Sequence, residues 1–176
     1  MGLLRKFSAL IDALNRRLGQ ATAWLVVAMA LLTVFVVVLR YAFGMGAIAA
    51  QESVTYMHSA LFMLGASYTL LADEHVRVDI FYSQFGPRLK AWVNVLGHVV
   101  FTLPILLFIG LSSQDYVAES WRVLEDSPEP GGIHGVYLLK TLIPLMAGLL
   151  ALQAISTIIK GLAVLSSNEE HSHVSG

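Results

Sequence analysis

The stretch ATAWLVVAMALLTVFVVVL, Ala21–Leu39, holds no charged side chain, no proline and no glycine. A helix rises about 1.5 Å per residue and the hydrocarbon core of a bilayer is about 30 Å thick, so a span needs about 20 apolar residues. This run of 19 comes close to that length, and three further runs are as long or longer. Ser53–Ala72 is softened by Tyr56, His58, Ser59 and Ser67; Trp92–Leu111 contains Asn94, His98 and Pro104; Thr141–Ile159 contains Pro144 and Gln153. In hydrocarbon the backbone must satisfy its own polar groups, which selects helices. The expected fold is an all-α integral membrane protein with four transmembrane helices.

Composition supports the same class. Of the 176 residues, 56% are hydrophobic and 13% charged, against about 25% charged in soluble domains. So short a chain has too little polar surface to bury four such helices in a soluble core. The first run is longer than a signal-peptide core, and the cleavage-like Ala47-Ile48-Ala49 lies well past its end, so it reads as a retained span. Cysteine is absent, which removes disulfides, thiolate metal sites and iron–sulfur clusters. The net charge of −1 is silent on nucleic acid, and no such partner is expected.

Lys and Arg set the direction. Placing both termini in the cytoplasm puts Arg5, Lys6, Arg16, Arg17, Arg77, Arg88, Lys90 and Lys160 inside, and leaves Arg40, Arg122 and Lys140 outside. Residues 1–165 then form one membrane domain, and the polar segment 166–176 reads as a disordered tail. Within 3–18, Leu3, Phe7, Leu10, Ile11, Leu14 and Leu18 fall at helical spacing opposite Arg5, Lys6, Asp12, Asn15 and Arg16. That pattern predicts an amphipathic helix in the inner interface, in contact with membrane lipids, or docked on a partner protein. Between the third and fourth spans, helix is expected over Gln114–Leu124. Ser127-Pro128-Glu129-Pro130-Gly131-Gly132 must break it.

Chemistry is sparse. An ionisable residue at depth marks a functional site by default, and none of the four runs contains Asp, Glu, Lys or Arg. No catalytic group, metal site or cofactor is expected. The alternative is a membrane anchor of a redox enzyme, with His58 and His98 on haem. The two histidines would lie about 13 Å apart in depth, which disfavours a shared iron. Polar signals gather at span ends instead. Arg40 closes the first span and Glu52 opens the second on the same side, so they are expected to pair. His75, Arg77 and Asp79 alternate with Val76, Val78 and Ile80, which suits a snorkelling edge or a subunit contact. Gly65, Ala66, Ala147 and Ala151 are small enough for close helix packing.

Arg40-Tyr41, Glu52, Leu64-Gly65-Ala66 and His75-Val76-Arg77-Val78-Asp79, taken in order, resemble the small permease subunit of tripartite ATP-independent periplasmic (TRAP) transporters over about residues 20–160. Ala49 and Gln51 stand where many members carry Trp and the first acid of Trp-x-Glu-Glu. The resemblance implies a scaffold in the bacterial inner membrane that partners a large TRAP permease subunit. That partner would hold the sodium and substrate sites, and a periplasmic substrate-binding protein would deliver an organic acid. Arg40, Glu52, Gly65, His75, Arg77 and Asp79 are the implied structural or partner-interface residues.

Overall fold

The computed structural model describes residues 2–73, 82 and 84–173, with side chains through residue 166. Among the described residues all regular structure is helical. Four long helices carry it: α1 (Gly2–Phe43), α2 (Ile48–Leu71), α3 (Pro87–Arg122) and α4 (Val136–His173).

Residue chemistry explains the boundaries. α1 has Gly19 as its only glycine after Gly2 and no proline, so nothing interrupts it until Gly44. There the backbone turns left-handed at φ 67° and the Met45 N–H donates to the Leu39 carbonyl at 3.1 Å. α3 begins on Pro87, whose fixed φ suits a first helical position. It widens into a π turn over His98–Thr102, where the Leu103 N–H reaches back to the His98 carbonyl. Pro104 follows directly. It has no N–H to give the Val100 carbonyl and its ring would crowd that oxygen, and a widened turn relieves both problems. Leu124, at φ 47°, ends the helical run that closes α3.

α4 is the hub, packing on α1 and α2 along one side and on α3 along the other. Paired residues fix the directions. Ser8 meets Ser156 and Asn15 meets Gln153, Gly19 lies on Tyr68 and Gly65 near Thr22, and Gly110 faces Ala147 while Gly161 faces Val95. α1 and α3 therefore run antiparallel to α2 and α4.

The distribution of polarity is inverted relative to a soluble domain. Trp24, Leu31, Phe62, Phe101 and Phe108 point outward, whereas Asn15, Ser67, Gln153 and Ser156 are fully buried. That arrangement suits a hydrocarbon surround, where helices gain from internal hydrogen bonds and close packing. Among the described residues three helices, α1, α3 and α4, are long and apolar enough to cross a membrane. α2 has the length, 24 residues or about 36 Å, but its polar residues dilute its hydropathy.

One expectation changes. The amphipathic segment 3–18 is not a separate interfacial element: it continues straight into Ala21–Leu39 as one helix. Part of its polar face turns toward α4: Asp12 and Asn15 bond there, whereas Arg5, Lys6 and Arg16 stay exposed. Leu3, Phe7, Leu10 and Leu14 are exposed, while Ser8, Ile11 and Asn15 are buried. The physical reason lies on α4. Gln153, Ser156 and Lys160 offer partners that an apolar face could not use. α4 itself continues through His173.

The close approach at Gly19 supplies a test. A Cβ at Gly19 would lie 2.4 Å from Tyr68 Cγ and 2.5 Å from its Cβ. Gly19→Ala should destabilise the α1–α2 contact by about 1–3 kcal/mol, read as a lower thermal midpoint of the detergent-purified chain. Adding Tyr68→Ala should recover part of the loss. An unchanged midpoint for Gly19→Ala alone would contradict the packing.

Candidate functional site

The best-organised polar assembly outside the helix seams lies where the α3–α4 connection meets the start of α2. Glu52, in the first turns of α2, accepts hydrogen bonds from the Ser127 hydroxyl and, at 2.6 Å, from the Ile133 N–H. The loop is bent to present both donors. Ser127 N–H donates to the Ile133 carbonyl at 3.3 Å, Glu129 N–H to Ser127 Oγ at 3.1 Å, and Gly132 N–H to the Glu129 carbonyl at 2.9 Å. Gly131 adopts φ 81°, a conformation that costs glycine nothing. At Gly132 a Cβ would sit 2.4 Å from Ser127 Oγ and 2.8 Å from Glu52 Oε2, so only glycine fits.

A second clasp fixes the base of the loop. Glu125 pairs with Lys140 and accepts from the Ser120 hydroxyl at 2.6 Å, while its carbonyl takes the Val136 N–H at 3.1 Å. The Lys140 ammonium lies 4.0 Å over the Tyr116 ring. Trp121 meets Tyr137 edge to face at 4.7 Å and donates to Thr141 Oγ1 at 2.8 Å. The outer turns of α3 are thereby clipped to the start of α4. Asp126 and His134 add a contact at 2.9 Å, but both are well exposed, so it contributes little.

These contacts set the carboxylates' protonation. The Ser127 hydroxyl and then the Ile133 N–H hold the Glu52 carboxyl below its ordinary value of 4.5, against an opposing cost of desolvation. The Lys140 ammonium, followed by the Ser120 hydroxyl, does the same for Glu125. Both groups stay ionised at neutral pH.

The residues singled out in the sequence separate into three sets. Arg40 and Glu52 do not pair. Glu52 is taken by the loop, and Arg40 lies exposed at the end of α1 beside Gln51 and Val54. Gly65 sits inside the bundle, where an added Cβ would reach within 3.9 Å of Thr22 Oγ1. His75, Arg77 and Asp79 lie outside the described residues. The haem alternative is not favoured: His58 tilts against Phe62 on α2, His98 lies 3.2 Å from Thr102 Oγ1 on α3, and among the described residues α2 and α3 do not pack extensively on each other.

Two features escaped the sequence. One is the loop that answers Glu52; the only hint was the Ser-Pro-Glu-Pro-Gly-Gly run, which signals a turn but not its target. The other is the polar seam between α1 and α4. Ser8 and Ser156 hydroxyls lie 2.7 Å apart, Asn15 Nδ2 donates to Gln153 Oε1 at 2.7 Å, and Lys160 reaches Asp12 at 2.5 Å. Gln153 Nε2 and Ser156 Oγ also donate to Asp12 Oδ1, at 3.1 and 2.8 Å. The signal was a glutamine inside an apolar run, paired with an asparagine on the polar face of segment 3–18.

A family model described as "Tripartite ATP-independent periplasmic transporters, DctQ component" matches residues 29–164, well over half of the chain. No curated protein and no solved structure matches it.

The loop's dependence on one carboxylate can be measured by hydrogen exchange. Glu52→Ala should accelerate exchange of the Ile133 amide about tenfold or more. A carboxyl depressed in the folded state stabilises above its ordinary value and loses that contribution as pH falls through the folded one. Protection at Ile133 in the unaltered chain should therefore hold at neutral pH and decline below about 4.5. Protection that rises on acidification, or that ignores Glu52, would refute the latch.

Proposed function

Because this chain belongs to the DctQ component of tripartite ATP-independent periplasmic transporters, we propose that it braces a larger permease subunit in the bacterial inner membrane during sodium-coupled uptake of an organic acid. A periplasmic binding protein delivers the solute. The chain itself acts as a non-enzymatic scaffold with four spans and both termini in the cytoplasm. The fourth span is α2, whose softened sequence is shielded between α1 and α4.

The observation that carries this reading is where the buried polar groups go. Asn15, Gln153, Ser8 and Ser156 bond helix to helix, and the groove between α3 and α4 is walled by Leu103, Leu107, Pro144 and Ala147. Side chains so committed stiffen a bundle. Gripping a sodium ion takes several oxygen ligands turned toward one cavity, a task this reading assigns to the larger subunit.

Direction follows from Lys and Arg: the eight cations assigned inside flank the Gly2 end of α1 and its neighbours, and the latched loop then faces the periplasm. A rigid loop is a suitable landing surface for the binding protein, because a preorganised surface loses less freedom on docking. Arg77 and Asp79, just past the inner end of α2, and Gly65 within it are assigned to contact with the larger subunit or to support of that contact.

Reconstitution tests the assignment. Liposomes holding this chain, the large permease and the binding protein should accumulate an organic anion under an inward sodium gradient. Liposomes with this chain alone should accumulate none. Arg77→Ala or Asp79→Ala should lower uptake or co-purification of the permease while leaving membrane insertion intact. Sodium-driven uptake by the isolated chain would overturn the scaffold reading.

A further inference from the structure

Glu52 is committed to the loop, which leaves the charge of Arg40 without a carboxylate. Among the described residues Arg40 takes part in no ion pair, and its side chain is exposed. It stands at the mouth of a groove of about 300 Å³ between the outer ends of α1 and α2, walled by Thr33, Val36, Val37 and Val54, with Tyr41 and Gln51 at the rim. The groove is thus graded along its length. A guanidinium, an amide and a phenol sit at one end, and valines below them toward the middle of the helices.

That grading matches one class of ligand. We propose that this groove binds a single phospholipid of the surrounding bilayer, with its phosphodiester on Arg40 and Gln51 and an acyl chain along Val36, Val37 and Val54. Guanidinium presents a planar fork of donors matched to two phosphate oxygens. Arg40 lies one residue past the end of the Ala21–Leu39 run, the depth at which headgroup phosphates begin. A free anion would use the polar rim and leave the valine floor unused. A partner carboxylate would satisfy Arg40 equally well but gives the apolar channel no role. The leaflet occupied follows from the orientation proposed above, whereas the site itself does not depend on it.

Native mass spectrometry of the full chain, released from nanodiscs of phosphatidylglycerol, reads the site directly. The unaltered chain should retain one phospholipid. Arg40→Gln should lower its occupancy about tenfold, the order expected for loss of a charge-assisted pair, and Arg40→Lys should recover part of it. Val54→Phe should lower occupancy too, because it fills the channel without touching the charge, and excess inorganic phosphate should not displace the lipid. Equal retention by Arg40→Gln and the unaltered chain would overturn the proposal. So would displacement by phosphate alone, or lipid retention by Arg40→Gln coupled with loss of the co-expressed large permease, which would make Arg40 a protein contact. These readouts use lipid mass, so they stand or fall separately from the uptake measurements.

Discussion

Hydrocarbon offers no hydrogen bonds, and that deficit organises the whole molecule. Every polar side chain carried into the bundle must meet another protein group or forfeit the hydration it left behind. Asn15 and Gln153 answer each other, as do Ser8 and Ser156, and the serines and threonines along α1, α2 and α4 fold back onto their own helix carbonyls. Each interhelical bond contributes only about 0.6 kcal/mol on average in such settings. Their larger effect is to define which face of each helix points inward and at what register.

That constraint explains what was legible in the sequence. Long uncharged runs announce themselves by length alone, so Ala21–Leu39, Trp92–Leu111 and Thr141–Ile159 fall inside observed helices, and so does the softer Ser53–Ala72 apart from its last residue. The facing of residues 3–18 was not legible. Leu3, Phe7, Leu10 and Leu14 form the same stripe whether the helix floats in an interface or stands against a neighbour. Only Asp12, Asn15, Gln153, Ser156 and Lys160 taken together decide between the two, and they lie far apart in the chain. The Arg40–Glu52 pair failed for a related reason. Opposite charges near each other in sequence define reach, but Glu52 was claimed by Ser127 and Ile133 from a loop more than seventy residues away, where backbone geometry fixes the donors in advance.

The two ends of the bundle are built differently. At the loop end, carboxylates Glu52 and Glu125 each bind donors from a separate segment, tying α2 to the connection and the connection to α4. At the other end α1 and α4 hold each other mainly through side chains. Membership of the DctQ family places this asymmetry in a component of a tripartite periplasmic transporter. A backbone-shaped loop suits recognition, and a side-chain zipper suits holding a helix pair upright.

The unbroken length of α1 has a mechanical consequence. Forty-two residues make a rod of about 63 Å, roughly twice the hydrocarbon thickness. Its first seventeen or so residues prolong the Ala21–Leu39 run by about 25 Å and lie against the stretch of α4 that carries Gln153 and Ser156. With no joint along it, the rod transmits tilt: a rocking of about 10° about Leu18 moves its first residues sideways by about 4 Å, given the rise per residue. Since Asp12 and Asn15 tie this segment to α4, the two helices tilt together.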